Sequence, residues 1–323
     1  MVVLAIGLYG RIKIEPGYHE DGQLRAFKQL GIPCIPFDVE SISDADAIHK
    51  LSKLIRKHQP DIILIDHKKG LKIWSDIKKN IKINNCISVY WMCDGRKVEG
   101  VKSPYFTKVK EPIMAPSDLK GLVDFIFISD AYRIDEYRVG FETDNVYWMP
   151  QACTPKFMHK IATTEIYDMT FAGSIAETLV HEGRENIIKS VSSVCKVNVI
   201  DNKKIDTPKI YSQSKLVLGM SNFNYYLTTS NRFFVGMGCG ACMMFPYFPG
   251  IDLLVENKKH LVWWHDIDEL KANIKYYLRN NDERKEIQKN AEILAHKRHT
   301  YVNRIQNMLD IIDNKTKDFY GFI

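Results

Sequence analysis

The chain states one pattern twice: a short apolar run, a turn, an amphipathic stretch, then another apolar run. In the first half the runs fall at residues 2–7, 33–38, 61–66, 86–91, 124–129 and 145–149. Between them, 23–30, 44–58, 71–81 and 131–139 carry helical spacing. The run Asp61-Ile62-Ile63-Leu64-Ile65-Asp66 is typical. A strand with one wet face would alternate polar and apolar side chains. Continuous apolar strands between amphipathic helices predict a parallel sheet covered on both faces, a doubly wound α/β domain.

Residues 150–168 read as an irregular linker, and then the pattern restarts. Strands are expected at 169–172, 196–200, 215–219, 241–245 and 260–264, and helices at 184–194, 209–214 and 230–237. Three more helices, at 267–278, 282–297 and 300–313, close the chain. A length of 323 residues suits two such domains. No run approaches the ~18 apolar residues of a membrane span, and the N-terminus reads as a first strand with no basic leader. Seven scattered cysteines predict buried small side chains in a reducing cytoplasm, not a disulfide framework. Cys239 and Cys242 form a C-x-x-C without a second pair at metal-site spacing, so no metal is expected. The net charge of +6 and the pairs Lys68-Lys69, Lys78-Lys79, Lys203-Lys204 and Lys258-Lys259 fit a solvated surface or an anionic partner.

The last third carries an ordered series. It runs Ser230-Asn231-Arg232-Phe233-Phe234, Gly238-Cys239-Gly240-Ala241, Phe248-Pro249-Gly250-Ile251, Leu254 and Glu256. Asp268-Glu269-Leu270, Tyr277-Leu278, Glu283-Arg284, His299-Thr300-Tyr301 and Arg304 follow. Upstream stand Thr170-Phe171-Ala172-Gly173-Ser174 with Arg184, and Trp148-Met149-Pro150-Gln151-Ala152. This series resembles the CgeB-like, group 1 glycosyltransferases over about residues 120–310. The resemblance implies a GT-B fold: two Rossmann-like domains, a cleft between them, and a C-terminal crossover helix. It implies domains at 1–152 on the acceptor side and 165–305 on the nucleotide-sugar side, with 306–323 as the crossover tail. It also implies a nucleotide-sugar donor, UDP-sugar foremost, no required metal or cofactor, and a retaining second domain. One departure stands out. Where the family places a glutamate three residues after the arginine, this chain has Val235.

A nucleotide-sugar donor leaves as a diphosphate whose charge grows as the glycosidic bond breaks. Helix N-termini, backbone N–H groups and guanidinium groups stabilise that charge. Gly173-Ser174 supplies a turn after a strand, with Arg184 at the start of the next helix. Ser230-Asn231-Arg232 opens another helix with an N-cap residue, free N–H groups and a guanidinium. These six residues are the expected donor contacts. On the acceptor side, Gly10 and Arg11 follow strand one without a G-x-G-x-x-G fingerprint. Asp94 follows the strand Ile87-Ser88-Val89-Tyr90-Trp91, where ligands of open α/β sheets bind. Its segment resembles the acidic loop of phage DNA glucosyltransferases. Asp94 is the expected catalytic carboxylate, either as base or as a stabiliser of positive charge; an Asx-turn before Gly95 is the alternative. His19, Glu20 and Asp21 read as a helix start with favourable acidic charge. His19 is a second candidate base, and Asp21 an acceptor-side residue.

The acceptor stays open between hydroxymethylated bases of phage DNA and a protein or glycan. The other functional classes are a GT-B protein that has lost activity and a sugar-nucleotide epimerase.

Overall fold

The computed structural model describes residues 1–10, 16–80, 85–93, 121–175, 183–201, 205–220 and 225–316. Arg11 and Asp94 lie outside the described residues. The chain divides into two units. The first takes the described residues up to Gln151 together with those from Tyr301 onward; the second runs Ala152–Thr300.

In the first unit six parallel strands form one sheet in the order β2-β1-β3-β4-β5-β6. They are β1 (Val3–Gly7), β2 (Cys34–Asp38), β3 (Ile62–Ile65), β4 (Ile87–Met92), β5 (Phe125–Ile128) and β6 (Val146–Trp148). The helices are α1 (His19–Gln29), α2 (Asp44–His58), α3 (Lys68–Asn80) and α4 (Ile134–Phe141). Every residue of β1 and β3 is buried, which is why these strands read as unbroken apolar runs. Ser43 caps α2 by accepting from the Asp46 N–H at 3.2 Å.

The second unit holds five parallel strands in the order β11-β10-β9-β7-β8. They are β7 (Tyr167–Ala172), β8 (Val197–Ile200), β9 (Ser214–Leu218), β10 (Met243–Pro246) and β11 (Val262–Trp264). Its helices are α5 (Arg184–Val191), α6 (Thr207–Ser212), α7 (Asn231–Gly238), α8 (Ile267–Arg279) and α9 (Asn281–Arg298). Asp206 and Asp266 cap α6 and α8 through their side chains.

The last helix, α10 (Tyr301–Ile312), belongs to the first unit and packs on α1. The chain returns to that unit at Tyr301, earlier than the 306 expected. Two residues of the closing motif explain the anchorage. Arg304 has no exposed surface; its Nε donates to the Pro150 carbonyl at 3.0 Å and Nη2 to the Gln151 carbonyl at 3.1 Å. Tyr301 lies so close to α1 that a Cβ on Gly22 would meet its ring at 2.2 Å.

Much of the ordered C-terminal series is thus scaffold. Arg284 is buried and bonds Glu165 through both Nη atoms, at 2.7 and 2.6 Å. Cys239 and Cys242 are fully buried in the second unit, and burial pushes the Cys242 thiol up to about 12. None of the seven cysteines is in a disulfide.

Candidate functional site

Both sheets reverse direction next to their first strand. In the second unit β7 leads to β8 on one side, and the chain then crosses to β9 on the other. The switch point is therefore the β7–β9 pair, whose carboxyl ends are Ala172 and Leu218. In sheets of this kind the crevice outside the carboxyl ends at the switch point is the usual place for a ligand.

Arg232, the second residue of α7, reaches into this place. Its Nε donates to the Ala172 carbonyl and its Nη1 to the Met220 carbonyl, each at 3.1 Å. One guanidinium thus ties the ends of β7 and β9 together and keeps donors to spare, since arginine carries five N–H groups. Gly173 makes room for it. A Cβ there would sit 2.4 Å from Arg232 Nη2, and the backbone φ of +154° is one that side-chain-bearing residues rarely adopt. Arg184, first in α5, donates from Nη1 to the Ser174 carbonyl at 2.9 Å. Both guanidinium groups stand over the Phe171 ring, at 5.9 Å for Arg184 and 5.6 Å for Arg232.

No carboxylate among the described residues pairs with either arginine. Burial, and then the charge of Arg232, pull Arg184 down to about 10. Two like charges held together in partial burial are unfavourable alone and attract a polyanion. The approach to α7 adds polar atoms. Thr228 Oγ1, Thr229 Oγ1, Ser230 Oγ and Asn231 Oδ1 are all buried and without a hydrogen-bond partner among the described residues. Ser230 is the N-cap of α7, yet its hydroxyl makes no cap bond. Buried polar groups are normally paired, so four in sequence stand out. The structure brings together all six expected donor residues: Gly173, Ser174, Arg184, Ser230, Asn231 and Arg232. Val235 is buried in α7 at 3% exposure, so its substitution for a glutamate removes a carboxylate from this helix.

Residues 156–310 match the glycosyl transferase-like family. That match spans the arginine pair and the α7 approach, and it covers most of the second unit. Solved structures extend the likeness to the whole chain. HepE of Anabaena, in complex with UDP, aligns with a TM-score of 0.61 at 12% identity, over 97% of this chain and 100% of that one. Sucrose-phosphate synthase of Thermosynechococcus elongatus gives 0.66 at 10% identity, over 98% and 100%. BGT of phage T4, with its UDP-glucose substrate, gives 0.59 at 10% identity, over 96% and 98%. The fold is GT-B. No curated protein matches the sequence.

The first unit has the same kind of switch point, between β1 and β3, but different chemistry. Asp66, just after β3, was not singled out from the sequence. Its side chain is 1% exposed, and neither oxygen has a hydrogen-bond partner among the described residues. It presses on the end of β1, where a Cβ on Gly7 would lie 1.9 Å from Asp66 Oδ1. Burial, and then Glu20, push its pKa well above the ordinary carboxylate value. His19 Nε2 stands 3.9 Å from Asp66 Oδ2. The same ring nitrogen lies 2.9 Å from Gln23 Nε2 and 3.0 Å from Cys93 Sγ. Trp91 meets the imidazole edge-on at 5.0 Å, and Tyr301 packs at 5.8 Å. Burial lowers His19 to about 3, so the imidazole is neutral at ordinary pH.

The other acceptor-side residues fare differently. Asp21 is spent on its own helix start, accepting from the Gly17 N–H at 2.7 Å and from Arg25 Nε at 2.6 Å. That geometry supports the turn before α1. Gly10 lies against the end of β2, where an added Cβ would be 3.1 Å from Asp38 Oδ2. Cys93, the residue before Asp94, is held at the end of β4 by Ser129 Oγ, which donates to its carbonyl at 2.6 Å. An open groove lined by Lys160, Glu165, Ser212 and Gln288 lies at the opposite end of the second sheet, near the start of β9, away from the arginine pair.

Proposed function

We propose that the protein is a glycosyltransferase that draws its sugar from a nucleoside diphosphate donor, UDP-sugar foremost. The observation that carries this reading is the pair Arg184 and Arg232, which both lie over the Phe171 ring and pair with no carboxylate among the described residues. A departing diphosphate supplies the missing charge. Arg232 is held by two carbonyls before any ligand arrives, so its remaining N–H groups need little reorganisation as charge develops. The unpaired hydroxyls and amide at Thr228–Asn231 offer partners for the donor's polar groups. Solved GT-B relatives crystallised with UDP or UDP-glucose support the choice of donor.

In this reading the first unit serves the acceptor. His19 is a candidate base because burial keeps its imidazole neutral, and the buried Asp66 carboxyl lies 3.9 Å from its Nε2. Asp94 remains the candidate carboxylate, and Arg11 and Gly10 candidate acceptor contacts. Hydroxymethylated DNA is the acceptor we favour, from the resemblance around Asp94 and the phage T4 protein among the structural neighbours. The chemistry needs no metal in this account, because the two guanidinium groups take the charge. A cytoplasmic location fits the seven cysteines outside disulfides.

Val235 favours one second reading, a donor-binding protein that has lost turnover. A screen of common nucleotide sugars separates the two. Slow hydrolysis of one donor, lost in Arg232→Ala, is the expected result. Binding of a donor without any turnover, with or without an acceptor, supports the second reading. No response to any donor sinks both.

A further inference from the structure

The positive charge of this chain is unevenly placed. Between His49 and Asn80 there are nine lysines and arginines against three aspartates, an excess equal to the +6 of the whole chain. The fold gathers these residues onto one helix pair. α2 and α3 pack side by side, joined by Lys72 Nζ to Asp44 Oδ2 at 2.8 Å and by Lys69 Nζ to the Ile42 carbonyl at 2.6 Å. On α2 the buried side chains are Ala47, Leu51, Ser52 and Ile55. Lys50, Lys53, Arg56 and Lys57 are exposed. At 3.6 residues per turn those four fall within an arc of roughly 120° on the opposite side. No ion pair is made by any of the four, and none by Lys79 on α3, among the described residues. Favourable contact with the helix dipole accounts for cations in a last turn, as for Arg56 and Lys57, but not for Lys50 and Lys53.

We propose that this α2–α3 face docks the phosphate backbone of double-stranded DNA. The proposal rests on the reading of DNA as the acceptor and adds the surface that would hold it. Charge complementarity is the first argument: a row of unpaired cations along one helix matches a duplex carrying one phosphate per ~1.7 Å of axis. What the face lacks supplies the second. No exposed large hydrophobic residue lies on α2 or α3, so nothing there can insert into a bilayer. No exposed aromatic lies there either, and single strands are held by aromatic stacking. A face with cations alone suits backbone contact without base reading.

The test is fluorescence polarisation with an unmodified duplex, from 50 to 200 mM salt. Wild type is compared with a fourfold variant, Lys50→Gln, Lys53→Gln, Arg56→Gln and Lys57→Gln. A melting curve shows that the variant is folded, and donor hydrolysis is followed in parallel. The expected result is at least tenfold weaker binding, with a salt slope shallower by about three to four, and unchanged hydrolysis. Equal binding by the variant and wild type overturns the proposal. So does wild-type binding to phosphatidylserine vesicles but not to duplex. Donor turnover without duplex binding defeats this inference and leaves the transferase reading intact. Duplex binding lost in the variant, in a protein that turns over no donor, does the reverse.

Discussion

The two units build their switch points alike and charge them oppositely. In the second, α7 sends Arg232 across the ends of β7 and β9, and Arg184 joins it with no acid paired to either among the described residues. In the first, the end of β1 is closed by Asp66, a carboxyl without hydrogen-bond partners among the described residues, beside a neutral imidazole. Each arrangement costs stability by burying charge or its potential without compensation. One sheet plan therefore carries two electrostatic settings, a pair of guanidinium groups in the second unit and a buried carboxyl beside an imidazole in the first.

The comparison breaks most readily at Arg232. Arg232→Ala should lower donor turnover by about 100-fold or more, the usual loss when one donor to a developing anion is removed. Steady-state hydrolysis measures it; a change under threefold would separate the arginine pair from the chemistry. Gly173→Ala sharpens the same point. Its Cβ would meet Arg232 Nη2 at 2.4 Å and displace it, so turnover should fall about tenfold, less than for deletion of the guanidinium. Melting curves should show that variant folded.

The first unit answers differently. Asp66→Asn should raise the melting temperature at neutral pH while lowering transfer to an acceptor. The sign follows from linkage. Burial raises the folded pKa of Asp66, so the folded protein keeps the proton longer than the unfolded chain. Stability is lost as pH climbs from about 4 toward the folded value, and the gain from asparagine grows over that window. A lower melting temperature for Asp66→Asn at pH 8 would show that the carboxylate holds the fold together. His19 gives the smallest effect, with the opposite slope. Its folded pKa of about 3 lies below the unfolded value of about 6.5, so its contribution is complete above 6.5 and fades as pH falls toward 3. His19→Gln should flatten acid destabilisation there; an unchanged acid limb would mean that His19 is not buried neutral.

Repeating patterns made the fold legible. Asp61-Ile62-Ile63-Leu64-Ile65-Asp66 could only be a buried strand, and it is β3. The expected helix at 44–58 matches α2, because its caps and apolar face agree. Boundaries shifted where tertiary contact overrode local signals. α1 starts at His19, not Gln23, because Gly22 is buried under Tyr301 from a helix almost 280 residues away in sequence. The clustering of Gly173, Ser174, Arg184 and Arg232 was legible because a turn glycine, an N-cap and two arginines are local signals. Asp66 was not. Its one trace was an acidic residue closing an apolar strand, and only the β1–β3 pairing shows that it faces Gly7 and His19. Asp21 misled for the related reason that a sequence cannot tell a carboxylate offered to a ligand from one taken up by its own loop.

The most direct test of the account is a calorimetric titration of UDP into the wild type and Arg184→Met. Methionine fills the space over Phe171 without the charge. At least tenfold weaker UDP binding is expected, with a melting temperature equal to or above wild type, since a partly buried charge beside Arg232 has been removed. Unchanged UDP affinity in Arg184→Met would contradict it, because the arginine pair would then not be the donor's diphosphate site.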